Sequence, residues 1–225
     1  AEAGKRVLLV DLDPQGNTTS GIGGSAGAHS VYEALMGRTP LSACLQSTCV
    51  KGLSLIPADI RLAGAELELV ELERREYRLK HLLKTIEGDF DFLFVDCPPS
   101  LGLLTVNALT AAQRVLIPIQ CDYYALEGVS SLMNTVNRVK HAFNPGLDIE
   151  GVLLTMLDAR TNLGIQVVDS VKKHFKSRVF ATAIPRNVRL GEAPSHGLPI
   201  HLYDPRSLGA DSYRRLAQEF LQRNR

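Results

Sequence analysis

Residues 7–10 read Val-Leu-Leu-Val, an unbroken apolar run closed by Asp11 and Asp13 and followed by Pro14-Gln15-Gly16-Asn17. A run with no polar alternation suits a strand covered on both faces, as in a parallel sheet. The Pro-Gln-Gly-Asn stretch is loop chemistry. In open α/β sheets, ligands bind just beyond the carboxyl ends of the strands. Two acids at that point are placed to act on a metal ion or a water, although a turn with a capping aspartate uses the same residues. A second buried strand is expected over Phe90 to Val95; it ends in the same way at Asp96-Cys97-Pro98-Pro99-Ser100 and favours the chemical reading.

The rest of the chain alternates strand-like and helix-like segments. Residues 18–30 are rich in Gly, Ser and Thr and are expected to be a mobile loop. Ser30 is placed to cap a short helix over 31–36. A strand is expected near 52–57, helices over 62–74 and 78–86, and then the strand ending at Asp96. Helix 101–112, strand 114–119, helix 126–143, strand 149–157, helix 162–175, strand 179–184 and a helix near 207–223 follow. This order predicts an α/β fold, a doubly wound, mostly parallel sheet with helices on both faces. A chain of 225 residues suits one large domain, 1–225. The formal net charge of +1 carries no global signal for nucleic acid, so any such contact needs a local patch. The cysteines lack metal-ligand spacing. No run approaches the roughly 18 apolar residues of a membrane span, and the cytoplasm is the expected compartment.

Phe92-Leu93-Phe94-Val95-Asp96 has the Walker B pattern, in which the strand-end carboxylate holds Mg²⁺ directly or through water. The phosphate loop that should accompany it, G-x-x-x-x-G-K-[ST], does not occur between Ala1 and Arg225. The opening Ala1-Glu2-Ala3-Gly4 reads as the last turn of a helix with a glycine stop. The first βα unit is therefore expected to be missing ahead of it, and with it the phosphate loop.

Four stretches carry a family resemblance: Val-Asp-Leu-Asp-Pro-Gln-Gly-Asn at 10–17, Val-Asp-Cys-Pro-Pro-Ser at 95–100, Tyr-Tyr-Ala-Leu-Glu-Gly at 123–128, and Ile-Pro-Arg-Asn-Val-Arg-Leu-Gly-Glu-Ala-Pro-Ser at 184–195. The chain resembles the ParA/Soj family, deviant-Walker P-loop ATPases of chromosome and plasmid partition. The resemblance implies ATP and Mg²⁺ as cofactors and a homodimer formed with ATP. It also implies non-specific DNA as a partner and a ParB/Spo0J-like protein that stimulates hydrolysis.

By the same resemblance, Asp13 positions or activates the attacking water and lies at the metal. Asp96 orders Mg²⁺ through water. Asp11 sits beside the metal, with a purely hydrogen-bonding role equally open. Gln15 and Asn17 fall in a loop that senses the γ-phosphate. Met156 and Asp158 after one strand, and Pro185 and Asn187 after another, form the adenine site. Arg160 and Arg189 bind DNA phosphates without base readout, and the protein is expected at the nucleoid.

Tyr213, Leu216, Ala217, Phe220 and Leu221 form one apolar stripe on the last helix, which suits docking on the sheet. A MinD-like membrane ATPase that places the division septum is an alternative to the partition reading. A nucleotide-free interaction module is another, if the chain naturally begins where the sequence does.

Overall fold

The computed structural model describes residues 1–122 and 127–224, and for Glu127 the backbone alone. It divides into two compact units. The first takes in Ala1–Ala112, Val139–Pro145 and Pro194–Leu198, and the second Gln113–Arg138, Gly146–Ala193 and Pro199–Arg225.

In the first unit β1 (Val7–Asp11) leads through α1 (Asn17–Gly21) and α2 (Val31–Leu35) to β2 (Gln46–Ser47) and β3 (Leu53–Ile56). Helices α3 (Leu62–Val70) and α4 (Arg78–Leu83), strand β4 (Phe92–Asp96) and helix α5 (Leu103–Ala111) complete it. The sheet order is β2-β3-β1-β4, so the apolar run of β1 is central. It pairs in parallel with both β3 and β4, and the short β2 is an antiparallel edge. Leu8 and Val10 are fully buried against Leu35, Leu62, Leu69, Leu79 and Leu104 from the helices.

The other face of β4 is less covered, and Phe94 remains 38% exposed. The apolar run of β4 is therefore not buried on both sides within this unit. Among the described residues, its Leu93 and Val95 face packs into the helical core.

The stretch expected to be a mobile loop carries α1 at once. Gly16, at φ 63°, turns the chain left-handed into that helix, a conformation that glycine adopts without steric cost. Ser30 closes a capping box on α2: its backbone N–H donates to Glu33 Oε2 (2.8 Å), and its Oγ accepts from the Tyr32 N–H (3.3 Å). Helix α3 stops at Val70, short of the expected 74. Arg74 is left-handed at φ 51°, and the Arg75 guanidinium donates to the Val70 carbonyl (2.8 Å).

The second unit carries β5 (Arg114–Gln120), α6 (Glu127–Ala142), β6 (Asp148–Thr155) and α7 (Asn162–Phe175), then α8 (Val188–Glu192), α9 (Ile200–Tyr203) and α10 (Leu208–Arg223). β5 and β6 form a parallel ladder from Arg114↔Asp148 to Gln120↔Thr155. Ile117, Ile119, Val152 and Leu154 pack on Val167, Val171 and Phe175 of α7.

The strand expected over 179–184 is reduced to isolated bridges, Val152↔Val179 and Leu157↔Pro185. The reason is a competing acceptor. The Phe180 and Ile184 N–H groups still donate to the Val152 and Leu154 carbonyls of β6, at 2.9 and 2.8 Å, but between them the N–H groups of Ala181 and Thr182 donate to the Glu219 carboxylate of α10, at 2.8 and 2.9 Å. α10 docks as expected, but through a face rotated from the predicted stripe. Gly209, Ala210, Ser212 and Leu216 are buried, whereas Tyr213 is 42% exposed. Leu216 and Phe220 pack with Leu153, Phe180 and Ile184, and the Arg223 guanidinium lies 4.0 Å from the Phe180 ring centre.

Candidate active site

In the first unit the parallel register sets Asp11 directly opposite Asp96, so two acids leave neighbouring strand ends side by side. Asp11 is fully buried. Its Oδ2 accepts from the Thr19 N–H (2.8 Å) and the Thr19 hydroxyl (2.7 Å), and its Oδ1 accepts from the Asp13 N–H (3.1 Å). Both oxygens are thus committed, which is the hydrogen-bonding role that the sequence left open beside a place at the metal. The Thr19 hydroxyl in turn accepts from the Ala58 N–H (3.1 Å), tying α1 to the chain leaving β3.

Asp13 is half-buried two residues beyond β1, and its Oδ1 accepts from the Gln15 N–H (3.0 Å). Gln15 and Asn17 are both exposed, and Asn17 opens α1.

Asp96 Oδ2 accepts from the Thr18 hydroxyl at 2.6 Å. Water still reaches Asp96, yet protein atoms crowd its carboxyl, and this crowding is the main reason that its pKa is raised. The Thr18 hydrogen bond pulls the value back, while the charges of Asp11 and Asp13 push it further up. Surplus negative charge of this kind fits a site for a divalent cation. Among the described residues, no three His, Cys, Asp or Glu side chains converge on one point, so an ion at Asp96 would have to complete its shell with water or ligand oxygens. At Cys97, next in the chain, the thiolate is disfavoured. Burial first, then Asp96 and Asp13, push its thiol up to about 12.

In the second unit the Leu157↔Pro185 bridge brings the ends of two expected strands together. The Leu157 N–H donates to the Ile184 carbonyl (3.1 Å), and the Arg186 N–H donates to that of Leu157 (3.1 Å). Met156 and Asp158 therefore flank the bridge on one segment, and Pro185 and Asn187 lie on the other. Met156 is held at φ 52° and is 47% exposed. A left-handed methionine is uncommon, and such residues cluster at functional turns. Asn187 caps α8 by accepting from the Arg189 N–H (3.0 Å).

Neither candidate DNA-binding arginine has an uncommitted head. Arg160 donates through Nε (2.9 Å) and Nη2 (2.8 Å) to the two oxygens of Asp158. That fork holds the Asp158 carboxyl well below the usual range. Arg189 is held by Glu192 and Asp204.

Sequence reasoning missed Thr18 and Thr19. The only signal was two hydroxyls directly after the Asp-Pro-Gln-Gly-Asn loop. The tyrosines of the 123–128 motif, Tyr123 and Tyr124, lie outside the described residues, as does the side chain of Glu127.

Acids at adjacent parallel strand ends, secured by the helix that opens just after β1, place the chain in the class of α/β domains whose ligand site lies beyond the carboxyl ends of the strands. A family model described as an AAA domain matches residues 1–149. Sporulation initiation inhibitor protein Soj of Bacillus subtilis (strain 168) is 58% identical over 221 residues, 97% of this chain and 87% of that protein. Chromosome partitioning protein ParA of Myxococcus xanthus is 50% identical over 226 residues, 100% of this chain and 80% of that one. The crystal structure of cobyrinic acid a,c-diamide synthase from Mycobacterium smegmatis with bound ATP analog and magnesium superposes with a TM-score of 0.85 at 41% identity, covering 98% of this chain and 84% of that one. The chain belongs to the ParA/Soj family.

Proposed function

We propose that this protein is a partition ATPase. It binds ATP with Mg²⁺, pairs with a second copy in that state and coats DNA without regard to sequence. It lets go when a ParB/Spo0J-like partner stimulates hydrolysis, and so moves a chromosome or plasmid origin. Its place is the cytoplasm, at the nucleoid. The observation that carries the reading is the Asp11↔Asp96 register with Asp13 just beyond it. The 58% identity to Soj of Bacillus subtilis supports the partition role.

Bound Mg²⁺ neutralises charge on the transferring phosphoryl group. Asp96 would hold the ion's water shell, with its carboxylate oriented by the Thr18 hydroxyl. Asp13 orients the attacking water and accepts its proton. Asp11 fixes the start of α1, and so the loop bearing Gln15 and Asn17 that faces the γ-phosphate. Met156, Asp158, Pro185 and Asn187 receive the base. Arg160 and Arg189 meet DNA phosphates. The membrane-associated alternative draws no support from α10, whose Leu216 and Phe220 pack inward.

The test is ATP turnover by the full-length protein, with and without duplex DNA and a ParB/Spo0J-like protein. Retention on duplexes of unrelated sequence is measured in parallel. ATP-dependent retention on every duplex, and turnover that rises when DNA and partner are both present, are expected. Turnover indifferent to both, or retention on one sequence only, overturns the reading.

A further inference from the structure

Arg189 lies at the start of α8 with its side chain only about half exposed, and two acids of the same unit engage its head. Its Nη1 is 2.8 Å from Glu192 Oε2, one turn along α8, and its Nε is 3.5 Å from Asp204 Oδ2, just past α9. Both acids are themselves anchored. Glu192 Oε2 also accepts from the Tyr203 hydroxyl (3.1 Å), and Asp204 Oδ1 accepts from the Arg206 N–H (3.3 Å). The same design recurs at Arg160, where Asp158 occupies Nε and Nη2 together.

We propose that Glu192 and Asp204 form a carboxylate clamp that competes with DNA phosphate for Arg189 and so sets how tightly the protein holds DNA. The inference rests on the reading that Arg189 contacts DNA. A guanidinium recognises phosphate best through two parallel N–H bonds. With Nη1 and Nε both turned to carboxylates, each such edge of Arg189 is partly spent. Phosphate must displace an acid or accept a poorer single contact. Exposed ion pairs are individually weak, so the clamp yields to a polyanion. It lowers affinity without abolishing it, which suits a protein that must release DNA on each cycle.

The test uses the full-length protein with Mg-ATP on a duplex of arbitrary sequence. Binding is followed by fluorescence anisotropy between about 50 and 200 mM salt. Glu192→Gln and Asp204→Asn keep shape and hydrogen bonding while removing the charge. Each is expected to tighten binding roughly two- to five-fold, the range that one exposed pair can supply. In an Arg189→Ala background the gain should vanish, because the competition has lost its object. Asp169→Asn neutralises an exposed acid on α7 and controls for overall charge. Unchanged or weaker binding, an equal gain in Asp169→Asn, or a gain that survives in Arg189→Ala overturns the clamp. If Arg189→Ala binds DNA as the parent does, the DNA reading of Arg189 fails and the clamp with it. If Arg189→Ala weakens binding while the neutralised acids change nothing, the clamp alone fails.

Discussion

Thr18 donates its hydroxyl to Asp96 Oδ2 at 2.6 Å across 78 positions of sequence. Its neighbour Thr19 does the same for Asp11, which stands opposite Asp96 in the sheet. Two consecutive threonines at the start of α1 thus secure the acids of two adjacent strands. The helix works as a clasp: it holds the Asp11 and Asp96 carboxylates, and Asp11 in turn accepts from the Asp13 N–H where the loop begins.

Thr19→Val should weaken the fold. The change keeps shape and removes one hydroxyl that serves both Asp11 and the Ala58 N–H. A fully buried carboxylate and a backbone donor then each lose a partner, which costs about 1–3 kcal/mol. Urea denaturation of parent and variant measures it. An unchanged midpoint would mean that water replaces the hydroxyl.

Asp96→Asn should stabilise the chain. The folded pKa of Asp96 is raised, so the folded state holds this proton more tightly than the unfolded chain does. Its contribution to stability is therefore greatest at low pH and is lost as pH rises through the folded value. Asparagine removes that loss and can still accept from Thr18. At neutral pH, without nucleotide, calorimetry should show a Tm higher by a few degrees. This corresponds to about 1 kcal/mol or less once solvent screening is allowed for. A lower Tm would show that the charge is net stabilising.

Asp13→Ala should keep ATP binding and lose turnover by roughly 10²–10⁴-fold, the usual effect of removing a general base. Asp13 makes one side-chain contact within its own loop, to the Gln15 N–H, so the fold should tolerate the change. Nucleotide binding and phosphate release, measured on the same preparation, separate the two effects. Loss of binding would place Asp13 in nucleotide affinity instead of chemistry.

Glu219→Gln should destabilise the chain in a pH-dependent way. Burial raises the Glu219 pKa, but the N–H groups of Ala181 and Thr182 and the Arg223 charge outweigh it, leaving a net lowering. A depressed carboxylate contributes stability at neutral pH that disappears as pH falls through its folded value. The variant should lose about 1–3 kcal/mol at neutral pH. The gap to the parent should close below the ordinary value of 4.5. Denaturant titrations at several pH values check both. A gap independent of pH would mean that charge plays no part.

Much of this architecture is legible along the chain. The apolar runs of β1 and β4 and their terminal acids stand in plain view, and α7 spans Asn162–Phe175 as its periodicity predicts. Segment 179–184 misled because its strand-like composition is real and Phe180 and Ile184 do donate to β6, yet the Ala181 and Thr182 N–H groups between them answer to Glu219, 38 and 37 residues away. The same distance problem hid Thr18 and Thr19, which read as loop residues until the register of β1 and β4 brings Asp11 and Asp96 within their reach.

Hydrophobic period, turn residues and motif spacing are local quantities, so the order of strands and helices and the family they belong to are written in the primary chain. Which acid a given threonine, arginine or backbone N–H will meet is not local. It depends on directed bonds a few ångströms long between segments far apart in the chain. Only folding could decide that Asp11 is spent on Thr19, that Asp96 keeps a raised pKa, and that Arg189 faces two carboxylates.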